Sequence, residues 1–130
     1  MREAVLRRAW SAAILVLVAA IVAGSLSPQQ AAAVEGISDK LGHFLAYFTL
    51  ALAVSGITAP QRLWRAMLGC FLLGVALELG QAVLTVHRSA EWGDLAANAA
   101  GIATAWLIAG QGRAGWGLRA GAWLAQRRTR

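Results

Sequence analysis

The chain alternates long apolar stretches with short polar ones. Four apolar runs stand out, at 9–26, 41–59, 66–86 and 95–109. A membrane-spanning helix needs about 20 apolar residues, with a range near 17–25. The first three runs reach that length. The fourth reaches it when Gly93, Asp94 and Gly110 fall within its end turns, and a carboxylate in a first turn is favourable beside the helix N-terminus. Pro28 and Pro60 lie just past expected helix ends, as helix breakers do. The pattern predicts an all-α polytopic membrane protein. Four transmembrane helices would form a compact bundle over residues 1–110, followed by a basic cytoplasmic tail at 111–130.

The polar interruptions keep helical spacing. Lys40, His43 and Tyr47 are three and four positions apart and so share one face. Gly74, Glu78, Gln81 and Thr85 form a second stripe, and Asp94, Asn98, Gly101 and Ala105 a third. The first helix has none. At a rise of 1.5 Å per residue, His43 sits about 5 Å, Asn98 about 6 Å and Glu78 roughly 12–15 Å inside one end of the bundle. Three stripes at one level are expected to face one another.

Composition sharpens this picture. Apolar residues make up 58% of the chain, against about 45–50% for soluble proteins. The net charge of +6 has no arginine stripe behind it, so nucleic acid is not the expected partner. The basic residues instead gather in alternate connections: Arg2, Arg7 and Arg8, then Arg62 and Arg65, then the tail. That distribution puts both termini in the cytoplasm. A competing reading makes the first run a cleaved signal peptide, leaving three spans in the same orientation. The single cysteine, Cys70, allows no internal disulfide. The glycines of the tail argue against a stable helix there.

A charged residue at a helix centre costs about 2.5–3.5 kcal/mol to insert, so Glu78 is expected to face inward and pair with His43, Arg88 or Lys40. Arg88 suits a bidentate grip on phosphate or carboxylate, and Lys40 adds a point charge. His43 and Glu78 are the candidate proton-exchanging, catalytic pair. Gln81, Asp94 and Asn98 are candidate ligand contacts, and Asp39, Tyr47 and Gly101 orient them. Asp39 and Asp94 also read as helix N-caps. No recognised spacing supports a metal, and no cofactor motif is present. Gly93, Ala97, Gly101 and Ala105 form a small-xxx-small stripe suited to close helix packing.

The stretch DKLGHFLAYFTL, then Glu78-x-x-Gln81, then Arg88 followed by Asp94, Asn98 and Gly101, resembles the VanZ-like family of small bacterial membrane proteins over residues 39–105. Two positions depart from the family pattern: Val86-His87 replaces a Pro-Gly-like turn, and Ala105 replaces a second glycine. The resemblance implies a multi-pass protein of the bacterial inner membrane and a role in glycopeptide resistance of the teicoplanin type. The expected partners are membrane lipids or a lipid-linked cell-envelope precursor, bound in an outer-leaflet polar pocket. The alternative is a non-enzymatic accessory subunit whose polar core specifies packing against a membrane-protein partner. An ion pathway ranks last, because the inner halves of the spans offer only Ser55, Cys70 and Thr104.

Overall fold

The computed structural model describes residues 2–27, 37–84 and 91–127. Among them the protein is all-α. It has five helices: α1 (Arg2–Leu26), α2 (Ile37–Ser55), α3 (Leu63–Leu84), α4 (Trp92–Gly110) and α5 (Trp116–Arg127). Pro60 opens a single 3-10 turn, Pro60–Arg62, that leads into α3. Its missing N–H costs nothing at a helix start.

Two described helical stretches, Glu3–Leu26 and Pro60–Leu84, are long and apolar enough to cross a membrane. The first lies near the N-terminus, where a signal sequence would pass the same test. The sequence reading expected four such helices. In α2 and α4, each 19 residues long, polar residues in the first two turns shorten the apolar run: Asp39, Lys40 and His43 in one, Asp94 and Asn98 in the other.

α2 and α4 run parallel and pack closest. Lys40 meets Asp94, His43 meets Asn98, and Gly101 lies against the α2 backbone. A Cβ at Gly101 would collide with the Phe44 carbonyl oxygen and stand 2.9 Å from the Phe48 nitrogen. Only a residue without a side chain lets these backbones approach so closely. Ala105, one turn on, is fully buried, so the small-residue stripe is the seam. α3 presents a single buried stripe: Leu63, Met67, Cys70, Gly74, Glu78 and Gln81. α1 is peripheral and contributes no fully buried residue.

The tail departs from expectation. α5 is a helix despite Gly117 and Gly121, and those glycines are where α1 comes nearest. A Cβ at Gly117 would stand 2.8 Å from the Trp10 ring, and one at Gly121 would strike Leu6. Gly112 and Gly115, with φ of 79° and 74°, make the left-handed turn that folds α5 back. The backbone N–H of Gly115 donates to Ser55 O at 2.7 Å, and that of Gly117 to Gly56 O at 3.0 Å. Trp116 Nε1 donates to Leu52 O at 3.2 Å, and Trp10 Nε1 to Ala53 O at 2.8 Å. The two indoles meet edge to face at 5.2 Å between centroids.

Candidate functional site

At the other end, the starts of α2 and α4 and the end of α3 converge. Their directions alternate, so residues early in α2 and α4 share a level with residues late in α3. The buried polar side chains there are Glu78, Gln81, Asp94 and Asn98, with Tyr47 below them. Glu78 is 5% exposed and Gln81 1%, whereas their neighbours Leu79 and Val83 are 59% and 82% exposed. At this end the helix is polar inside and apolar outside.

His43 is at the centre. Its Nδ1 lies 3.1 Å from Asn98 Oδ1 and 3.6 Å from Glu78 Oε1. Its Nε2 faces Asp39 Oδ1 at 3.8 Å and Asp94 Oδ2 at 3.7 Å. Both ring nitrogens therefore look toward oxygen acceptors. Lys40 Nζ bonds Asp94 Oδ1 and Glu91 Oε2, each at 3.3 Å. The hydrogen bond to Asp94, then that to Glu91, raises the Lys40 pKa and keeps the amine charged. Gln81 Nε2 donates to Ser25 O of α1 at 2.7 Å, which ties the peripheral helix to the site. A Cβ at Gly74 would stand 3.2 Å from the Tyr47 ring and 3.4 Å from Asn98 Nδ2. Gly74 thus lets Tyr47 and Asn98 pass under α3. Tyr47 OH and Asn98 Nδ2 are buried and meet no hydrogen-bond partner among the described residues.

Most of the expected constellation assembles. Asp39, Lys40, His43, Glu78, Asp94 and Asn98 meet in one network, and Tyr47, Gly101 and Gln81 flank it. Glu78 pairs with His43, one of its three expected partners. Lys40 instead joins Asp94 and Glu91. Arg88, His87 and Thr85 lie outside the described residues.

The expectation that Asp39 and Asp94 cap their helices is corrected. α2 begins at Ile37 and α4 is capped by Glu91, whose side chain makes no cap bond. Both aspartates are the third residue of their helix, past the capping position, and their carboxylates turn toward His43. No recognised spacing marks a metal site, yet one set of donor atoms is compact. Ligand atoms of Asp39, His43 and Asp94 all lie within 4.8 Å of one another. Asp39 and His43 are an i, i+4 pair on α2, and Asp94 joins them from the stripe on α4 that is expected to face them. Glu91 and the Ser25 carbonyl are the contributors the sequence reading missed. The carbonyl had no side-chain signal by which to be found.

No family model matches this chain, and neither a curated protein nor a solved structure is similar to it.

Proposed function

We propose that the chain is a four-span protein of the bacterial cytoplasmic membrane whose outer end engages an anionic headgroup, that of a lipid or a lipid-linked envelope precursor. The observation that carries this reading is a buried polar cluster at one end of an apolar core, combined with apolar side chains on the outer face. Glu78, Gln81, Asp94 and Asn98 are buried, while Leu41, Leu45, Leu72, Leu79, Val83 and Leu107 face outward. In water that arrangement would waste apolar burial, but in hydrocarbon it places each group in its favourable medium. α2 and α4 then cross with their polar first turns at the headgroup level.

Orientation follows from charge. Arg7, Arg62, Arg65, Arg113 and Arg119 belong to the end opposite the polar network, which sets that end in the cytoplasm. The polar network then opens to the outer leaflet. Lys40 lies at its rim, and Arg88 belongs to the connection between α3 and α4 at the same end. These two cations would take the anion, while Asn98, Gln81 and Asp94 hold the walls. The resemblance to the VanZ-like family accords with this placement, and glycopeptide resistance is its physiological extension.

A second reading, the accessory subunit with a structural polar core, has one observation in its favour. Lys40 is already paired to two carboxylates. Native mass spectrometry separates the two, with phosphatidylglycerol as probe and phosphatidylcholine as neutral control. Wild type should retain one phosphatidylglycerol, and Arg88→Ala should lose it while remaining folded. Equal retention of both lipids by both forms would favour the structural subunit.

A further inference from the structure

We propose that Asp39, His43 and Asp94 bind one divalent transition-metal ion of the Zn2+ or Mn2+ type, through His43 Nε2 and one oxygen of each aspartate. The donor set is mixed nitrogen and oxygen, which suits such ions. Asp39 and His43 come from consecutive turns of α2, and Asp94 from the first turn of α4.

The spacing is close to that of a coordination sphere. Metal–ligand bonds of about 2.0–2.2 Å put tetrahedral ligand atoms roughly 3.4 Å apart. His43 Nε2 lies 3.8 Å from Asp39 Oδ1 and 3.7 Å from Asp94 Oδ2. A contraction of about 0.3–0.4 Å would bring these two edges to that value, and the two aspartate oxygens lie within 4.8 Å of each other. As they stand, those distances are too long for hydrogen bonds.

The surrounding groups set the imidazole for the task. Nδ1 faces Asn98 Oδ1 at 3.1 Å, with Glu78 Oε1 behind it at 3.6 Å. With an ion on Nε2, Nδ1 keeps its proton and donates it to Asn98 Oδ1. Orientation of a ligating histidine through its other nitrogen is the usual arrangement around bound metal ions.

Asp94 is 4% exposed and commits Oδ1 to Lys40, and its Oδ2 lies 3.7 Å from His43 Nε2, beyond hydrogen-bond reach. An ion between the two would bridge a gap that no hydrogen bond spans.

Three protein ligands leave a coordination position open. Asp39 and His43 keep some exposure, 22% and 11% of their side chains, so that position faces the mouth of the site. It suits an anionic oxygen such as that of a phosphate. The binding of the ion itself does not rest on the lipid reading, because it is tested with metal alone.

The experiment uses the full chain without a histidine tag, in detergent, stripped by a chelator and titrated with Zn2+ by calorimetry. His87 is replaced by glutamine throughout, since it is the other histidine of the chain. The site binds one ion per chain. Asp39→Asn and His43→Gln each weaken binding by at least about tenfold, a loss that even outer-sphere changes can cause. Glu91→Gln leaves affinity within about threefold, because Glu91 reaches the site only through an exposed pair with Lys40. Nitrogen-15 spectra of the zinc-saturated protein show His43 protonated at Nδ1 alone. Pulsed electron spin resonance of Mn2+ on unmutated ligands shows one imidazole nitrogen, which covers the case of a variant that does not fold. The proposal is overturned by any of three results: folded protein with no saturable binding, equal affinity in Asp39→Asn, or a His43 ring protonated at both nitrogens under saturating metal.

Discussion

The two ends of the bundle handle buried polarity in different ways. At the tryptophan end, the indole nitrogens of Trp10 and Trp116 bond to Ala53 O and Leu52 O, and Ser55 Oγ also bonds to Leu52 O. Backbone donors of Gly115 and Gly117 meet Ser55 O and Gly56 O, so α5 is sewn to the end of α2. Arg119 closes the turn by donating to the carbonyls of Ala114, Arg113 and Gly112. These donors have acceptors within the chain, and the pairs are of the neutral or solvent-screened kind. At the histidine end, by contrast, carboxylates and acceptors crowd one imidazole, and Tyr47 OH and Asn98 Nδ2 meet no hydrogen-bond partner among the described residues. Satisfied polar groups hold a fold together; under-satisfied ones are costly in a low-dielectric interior and mark places where stability is traded for another role. The first end reads as a clasp and the second as a site.

The seam between α2 and α4 supports both ends, so cutting it should erase the contrast. Gly101→Val would force a branched side chain into the Phe44–Phe48 backbone. We expect a loss of about 3 kcal/mol, the upper part of the range for overpacking, and little folded protein in detergent size-exclusion profiles. A wild-type profile would mean that the seam opens at little cost.

Trp10→Ala strikes the clasp alone. A fully buried tryptophan costs about 3–5 kcal/mol to truncate, and partial exposure of Trp10 brings the expected loss to about 2–3 kcal/mol. Thermal melting should fall accordingly, while phosphatidylglycerol retention below the melting temperature stays at the wild-type level. Loss of lipid at full folding would move the working site to the tryptophan end. The smallest effect is expected at the rim of the site, where Glu91→Gln removes an exposed partner of Lys40. Such pairs contribute about 0–1 kcal/mol, so melting should shift by less than that equivalent.

Much of the site was legible in the sequence because its residues keep helical spacing inside apolar runs. Lys40, His43 and Tyr47 announce a face on α2, as Glu78 and Gln81 do on α3 and Asp94 and Asn98 on α4. The cost of a polar group in hydrocarbon makes convergence the natural inference. The clasp was less legible. Gly117 and Gly121 carry a penalty of about 1 kcal/mol each in an isolated helix, which argued against α5. Tertiary contact overrides that penalty, because Trp10 and Leu6 occupy the space a side chain would need. Propensity speaks for the segment alone, and the partner sits more than a hundred residues earlier.

The measurement that bears most directly on the division between clasp and site is a paired one on Tyr47→Phe: melting temperature and phosphatidylglycerol retention from the same preparation. Tyr47 is 2% exposed, and its OH has no hydrogen-bond partner among the described residues. A phenyl ring in its place should therefore leave stability within about 1 kcal/mol of wild type or raise it. The account predicts an unchanged or higher melting temperature together with loss of the lipid. A lower melting temperature with the lipid still bound would contradict it, and would make the histidine end a packing device like the other.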